Sequence, residues 1–189
     1  MSLSEYLVRG AYLVCTNGSH KRKLNLPKCH GIYEGIHPLV HELECVAEPV
    51  CGREKCNITH FGVCCPVEGS PPPTEMVTYK KKPKNSKDDT WGRVTGFKCE
   101  PVIIGTWQRP CPFTRIVDNG DKDPCDRTLA ESILAIQEPR GLRTLTMASF
   151  LVCIYGGIIT PVTSGQRRNP IYPDQFYSYD DFKAIKFWK

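Results

Sequence analysis

Four cysteines that lie far apart in the chain share one local pattern. Each ends a short apolar or aromatic run, and glycine or proline follows it within four residues. Strands that end this way can bring thiols together at neighbouring turns, and thiolates are the preferred ligands of tetrahedral Zn²⁺, with iron as the second candidate. The pattern predicts a structural metal site made by Cys15, Cys64, Cys99 and Cys153.

The spacing of these cysteines differs from that of a zinc ribbon. Successive members are separated by intervals of 49, 35 and 54 residues, with no CxxC pair. Such ligands meet only if the whole fold brings them together, so the ion would contribute to the stability of the entire domain. Taken alone, this spacing is more typical of four buried thiols without an ion.

A second group of candidate ligands lies between residues 29 and 45. His37 and His41 are four residues apart, and one or two helical turns beginning near Pro38 would place them on one face. Cys29, with His30 beside it, and Cys45 would complete a Cys₂His₂ set. Surface histidines on a loop are the alternative interpretation.

The remaining cysteines leave two alternatives open. Eleven cysteines cannot all pair internally, although Cys51 with Cys56, or Cys111 with Cys125, could close loops outside the cell. Reduced and inert thiols are the other interpretation. A dyad of His60 with Cys64 or Cys65 is compatible with the sequence, but nothing singles it out. Because no HExxH, phosphate-binding loop or nucleophile elbow occurs, we expect no enzyme and no catalytic residue.

Composition favours one β-rich domain. The chain has 189 residues, 40% hydrophobic content, 16 prolines and 15 glycines, a mixture typical of a real core with many turns and short strands. The net charge is +5, and basic residues are clustered in two lysine-rich groups, at 20–23 and 80–84, which are more typical of solvated loops than of a nucleic-acid face. No apolar stretch is long enough for a transmembrane helix, and no signal peptide is recognisable.

The elements that must position the cysteines are short. We expect strands over 7–15, 59–65, 94–107 and 144–163, with turns at 16–19 and at Gly156–Gly157. Residues 66–89 have the composition of an unstructured connector, and 118–123 of a polar turn. Residues 128–137 predict a short amphipathic helix.

Several of these motifs, taken in order, resemble a known family. They are Val8-Arg-Gly-Ala-Tyr-Leu-Val-Cys15, Phe61-Gly-Val-Cys64, Lys98-Cys-Glu-Pro101 with Gly105-Thr-Trp107, and Leu145 through Ile158, closing on Ser164-Gly-Gln166. Together they resemble the cysteine-bearing branch of the PAAR-like spike-tip proteins. These belong to contractile injection systems related to the type VI secretion machine.

The resemblance implies a mainly β, small conical domain of short strands and long loops, tied at its apex by a metal. It carries the ligand roles onto Cys15, Cys64, Cys99 and Cys153, and implies a trimeric spike protein as partner, effector cargo, and brief contact with a target membrane. The protein would be made in the cytoplasm and delivered outside the cell on the injection apparatus. Nucleic acid is not an expected partner.

The resemblance also divides the chain. Residues 1–166 would form the spike-tip domain, with loop insertions at about 66–93 and 118–140, and residues 167–189 an aromatic extension. Cys65 adjoins Cys64, so either could be the ligand, and a histidine from 25–45 could replace one thiol. Two alternatives remain: a zinc-binding nucleic-acid-binding protein, and a secreted cysteine-dependent enzyme.

Overall fold

Nearly all of the regular secondary structure in the described residues consists of short strands. The computed structural model describes residues 5–34, 37–53, 55–66, 71–81, 92–116 and 141–166. Within these ranges the protein is mainly β, with small antiparallel sheets and one four-residue helix, so the predicted fold class is confirmed. The elements in chain order are β1 (Tyr12–Cys15), β2 (Arg22–Lys23), β3 (Tyr33–Glu34), β4 (His37–Pro38), α1 (Glu48–Cys51), β5 (Met76–Lys81), β6 (Gly92–Phe97), β7 (Ile103–Gln108), β8 (Arg115–Ile116), β9 (Leu142–Arg143), β10 (Phe150–Cys153) and β11 (Ile158–Pro161).

The largest sheet has five strands in the order β2-β1-β11-β10-β7, all antiparallel. Its centre pairs strands that are remote in sequence, since Cys15 lies opposite Ile159 and Cys153 lies opposite Ile103. Side chains alternate across the sheet, and Cys15 at the end of β1 and Cys153 at the end of β10 both point to the buried face.

The buried face of this sheet covers the hydrophobic core. Leu13, Leu151 and Ile159 of the central strands are fully buried, and Trp107 of β7 joins them. Phe61, from the irregular segment before Cys64, is also fully buried in the same cluster. Three of the four motif cysteines, Cys15, Cys64 and Cys99, belong to this cluster as well. The predicted ligands are therefore part of the core rather than attached to its surface.

Two of the predicted strands are shorter or more irregular than expected. Residues 59–65 form no strand, and only isolated bridges join Val63 to Lys98 and Cys64 to Gly18. The single strand predicted over 94–107 is two strands, β6 and β7. Pro101 lies between them, and a proline cannot donate a ladder hydrogen bond. The turns at 16–19 and at Gly156 are present as predicted.

The prediction of an unstructured connector at 66–89 is wrong for part of its length. Strand β5 lies inside it and pairs with β6 through six residue pairs, from Met76 with Phe97 to Lys81 with Gly92. Cross-strand contacts stabilise such a ribbon, and the Thr78 and Thr95 hydroxyls lie 2.8 Å apart. Most side chains of β6 alternate between exposed and half-buried, so the hairpin forms with little core of its own.

The helix predicted at 37–45 is also wrong. His37–Pro38 is strand β4, paired with β3, and His41 bridges Thr144. Leu39 and Val40 are buried there, so burial against the rest of the domain overrides the local helix-start signal at Pro38. The i, i+4 argument for placing His37 beside His41 on a helix therefore fails.

Several predictions fall outside the described residues. They are the polar turn at 118–123, the helix at 128–137, the extension at 167–189, and both disulfide alternatives, since the side chains of Cys51 and Cys125 lie in the undescribed part.

Candidate metal centre

The four motif cysteines line a single small cavity. Asn17, Pro72, Glu100, Tyr155 and Gly157 complete its wall, and all four cysteines are buried free thiols. The fold therefore brings together thiols from four remote segments, as the sequence predicts. That they hold an ion stays a prediction.

Sheet pairing positions two of the thiols. Cys15 ends β1 and Cys153 ends β10, and both strands flank β11 in the sheet. The turns that follow are tied together, because the Asn17 side-chain amide donates to the Tyr155 carbonyl at 3.0 Å. The Cys153 amide donates to the Gly157 carbonyl at 2.8 Å, which closes the second turn.

Backbone hydrogen bonds outside the sheet position the other two. The Cys64 amide donates to the Phe97 carbonyl at 2.8 Å, and the Cys99 amide donates to the Gly62 carbonyl at 2.7 Å. The Cys65 amide donates to the Asn17 carbonyl at 2.7 Å, which joins this pair to the turn after β1. Cys64 lines the cavity whereas the Cys65 side chain is exposed, so Cys64 is the member of that pair that can act as a ligand.

The surroundings of Cys15 lower the pKa of its thiol and so favour the thiolate. A hydrogen bond with the Cys99 thiol lowers the pKa of Cys15 to about 7, and backbone N–H groups of Asn17 and Gly18 act in the same direction against desolvation. The thiolate is the form that binds metals, so the cavity has an anionic sulfur near neutral pH.

The neighbouring thiols are held neutral in the absence of an ion. The hydrogen bond with Cys15, followed by burial, raises the pKa of Cys99. Burial is the main cause that raises the pKa of Cys64, and the charges of Cys15 and Cys153 add to it. Four crowded sulfurs cannot all ionise alone, but a divalent cation would remove that repulsion.

The cavity is no larger than one small occupant needs. Its volume is about 10 Å³, close to the ~10–15 Å³ that one water molecule needs. Four sulfurs around one such space are the donor set of structural Zn²⁺ or iron, whereas Mg²⁺ and Ca²⁺ select oxygen ligands. The donor chemistry of these residues therefore suits a soft metal, although among the described residues the group whose ligand atoms all lie within 4.8 Å of one another is a different one, His30, His41 and Glu44.

Gly157 allows the sulfurs to approach, and its substitution gives a direct test. A Cβ atom at this position would lie 2.7 Å from the Cys15 Sγ. We expect Gly157→Ala to displace that sulfur and to weaken metal binding by at least ~10-fold, the range seen when groups that orient ligands are altered. Competition with a chelating indicator measures the change in affinity.

The neighbouring glycine provides the control. Gly156 has a φ of +75° but has no atom within 4 Å of an added Cβ. Gly156→Ala therefore strains the backbone by about 1 kcal/mol without touching the thiols. Metal affinity should be unchanged in this variant while stability falls slightly. Equal affinities in the two variants would show that the contact with Cys15 is irrelevant to binding.

A second cluster of candidate ligands lies in another part of the domain. The carboxylate Oε1 of Glu44 is 2.7 Å from His30 Nε2 and 3.4 Å from His41 Nε2. Both histidines are buried, and one ligand atom from each of the three residues lies within 4.8 Å of the others. This cluster could hold a metal ion.

The set differs from the Cys₂His₂ group that the sequence suggests. His41 meets His30 and Glu44, while Cys29, His37 and Cys45 are outside the three-residue set. The Cys45 thiol instead faces backbone carbonyls, those of Leu43 at 3.6 Å and Gly105 at 3.8 Å. Glu44 lies next to Cys45, and nothing in the local sequence distinguishes its carboxylate from that of Glu42 as a ligand.

The histidine of the suggested dyad has other neighbours. His60 Nδ1 accepts the Gly62 amide at 3.2 Å, and its ring stacks on Tyr79 with centroids 5.5 Å apart. These contacts place the ring between a loop and the β5–β6 hairpin.

The comparisons with known proteins return no relative. In the described ranges, no helix has the length and apolar character needed to cross a bilayer. No family model, no curated protein and no solved structure matches the chain significantly.

Proposed function

We propose that this protein is a structural, metal-binding spike tip of the PAAR-like kind, which caps the trimeric spike of a contractile injection system. One observation carries the proposal: four buried cysteines, from segments up to 138 residues apart in sequence, line one small cavity. Zn²⁺ is the ion that four thiolates favour, with iron as the alternative.

A mechanical role suits this arrangement. An ion bound to four remote segments can be released only if those segments separate, so the ion resists local opening under load. The four motif thiols are also buried, so water and competing ligands have little access to them. The role needs no catalytic residue, and the spike, an effector cargo and a target membrane are the partners it implies.

Co-purification with the spike tests this function. The metal-loaded chain is expressed with the cognate trimeric spike protein, and the stoichiometry is measured by native mass spectrometry. We expect one copy of this chain per three spike chains, and we expect Cys65→Ser, whose side chain is exposed, to bind equally well. Absence of a complex with the loaded wild-type chain would refute the spike-tip role.

A metal-dependent nucleic-acid-binding protein is the second candidate, because folding brings His20, of the first lysine-rich group, to Lys80, which begins the second. His20 Nε2 lies 3.0 Å from the Lys80 carbonyl oxygen, and the ammonium groups of Lys21 and Lys23 lie 5.0 and 5.7 Å from the Tyr12 ring centre. Tight DNA binding whose affinity falls steeply with salt, with no spike complex, would favour this candidate.

A further inference from the structure

The His30–His41–Glu44 cluster has the dimensions of a coordination site. Bonds of 2.0–2.1 Å from a tetrahedral zinc place neighbouring ligand atoms about 3.3–3.4 Å apart. The distance from His41 Nε2 to Glu44 Oε1 is already 3.4 Å. The distance from His30 Nε2 to the same oxygen is 2.7 Å, a hydrogen-bond length, so this pair would separate by about 0.6–0.7 Å when an ion replaces the proton.

The surroundings hold the carboxylate in place. The Asn57 side-chain amide donates to Glu44 Oε2, which leaves Oε1 for the histidines. Asn57 is itself fixed, because its Oδ1 accepts the Val46 amide at 3.0 Å. The Glu44 carbonyl accepts the indole N–H of the buried Trp107 at 2.8 Å. Supporting contacts of this kind orient the ligands of metal sites.

The three side chains of the cluster are largely buried, which distinguishes it from a surface ion pair. The side chains of His30, His41 and Glu44 are 10%, 8% and 14% exposed, respectively. A carboxylate that is so poorly hydrated needs strong partners, and a divalent cation is stronger than two neutral imidazole N–H groups. His41 and Glu44 lie in the same turn and His30 lies in an earlier segment, so the ion would tie two segments together.

We propose that His30, His41 and Glu44 form a second divalent-cation site, distinct from the thiol cavity, that binds Zn²⁺ through two imidazoles and one carboxylate oxygen. Two histidines and a carboxylate are a known zinc ligand set that leaves the fourth position for water. In the metal-bound form each Nε2 proton moves to Nδ1, so a neutral imidazole stays neutral and coordinates through the Nε2 lone pair.

This proton shift has a local consequence. In the metal-free arrangement the Leu43 amide donates to His41 Nδ1 at 3.2 Å. A protonated Nδ1 cannot accept that bond, so the Leu43 amide must turn away. Leu43 lies in a turn with 49% of its surface exposed, where its amide can reach water instead. The amide resonance of Leu43 is therefore a reporter of metal at this site.

Cobalt titration of the chelator-treated full chain tests the proposal. Co²⁺ at the thiol cavity gives sulfur-to-metal charge-transfer absorption, whereas Co²⁺ at a His₂Glu site gives only weak visible bands. We expect two ions per chain in the wild type. Cys99→Ser should lose most of the charge-transfer absorption while keeping one tightly bound ion, and diamagnetic Zn²⁺ added to this variant should still shift the Leu43 amide.

Variants at the second site should show the opposite pattern. Glu44→Gln should keep the charge-transfer band and weaken the second ion by at least ~100-fold, since loss of a direct ligand exceeds the effect of losing a supporting contact. His30→Gln is the second variant, in case Glu44→Gln fails to fold. Glu75→Gln, at an exposed carboxylate, is the matched control and should bind both ions.

The titration distinguishes failure of the second site from failure of the thiol site. One ion per chain in the wild type, with charge-transfer absorption, would overturn the second site while leaving the thiol site intact. The same holds if the Leu43 amide does not move in Cys99→Ser on addition of Zn²⁺, or if His30→Gln retains both ions.

Discussion

Replacing Cys99 by serine is expected to lower the free energy of unfolding of the metal-loaded protein by at least about 4 kcal/mol, because loss of a structural metal is among the few single changes of that size. Cys99 is the central thiol, since hydrogen bonds join it to both Cys15 and Cys64. A serine hydroxyl is a poor ligand for a soft metal, and three ligands hold the ion less firmly than four. Structural zinc contributes roughly 10–16 kcal/mol of apparent binding free energy to small domains. Losing a fraction of that free energy is enough to give the expected destabilisation.

Denaturant unfolding in zinc and in chelator measures this loss. With zinc present, Cys99→Ser should unfold at a much lower denaturant midpoint than the wild type. In chelator the two proteins should differ by only about 1 kcal/mol, a typical value for a point substitution.

The adjacent cysteine provides a matched control for this experiment. The Cys65 side chain is exposed, and Cys65→Ser should stay within about 0.5 kcal/mol of the wild type in both conditions. If Cys99→Ser in zinc is as stable as Cys65→Ser, the thiols do not stabilise the fold through an ion.

The affinity of the thiol site should rise by at least ~100-fold for each unit of pH near neutrality, because at least two protons must leave when the ion binds. The pKa values of Cys64 and Cys99 are both raised above the usual 9.0, the first mainly by burial and the second mainly by its hydrogen bond with Cys15. Both thiols therefore carry protons at pH 7, and a metal binds only their thiolates.

A competition titration against a chelating indicator, at two pH values one unit apart, measures this dependence. Titration of the indicator alone corrects for its own protons. An affinity that does not change with pH would mean that the ion binds without displacing thiol protons, which contradicts a four-thiolate site.

The pKa shifts of these cysteines also make the stability of the metal-free fold depend on pH, and the raised and lowered values act in opposite directions. The raised pKa values of Cys64 and Cys99 contribute stability that is present below the unfolded value near 9 and is lost as the pH rises through the folded values. The lowered pKa of Cys15 contributes stability that is present above that unfolded value and is lost as the pH falls through about 7.

Local pattern predicted some elements well and others badly, for identifiable reasons. The alternation that ends on Cys15 and on Cys153 is carried by a few adjacent residues, and both cysteines do end strands. Cys64 and Cys99 repeat the pattern, but Cys64 makes only an isolated bridge and Cys99 lies next to one. Their amides bond to single residues, Phe97 and Gly62, and not to successive residues of a ladder. The lysine-rich composition after Pro72 concealed β5, whose stability comes from its pairing with β6.

The amino-acid sequence by itself determined the β character of the chain and the identity of the four cysteines, because alternation, turn residues and thiols are properties of single short segments. Only the tertiary structure decided that these thiols share one cavity and that Glu44 joins His30 and His41. Both sites join segments through pairings such as Cys15 with Ile159 and His41 with Thr144. Pairings over such distances depend on the burial of the whole core, which no local pattern encodes.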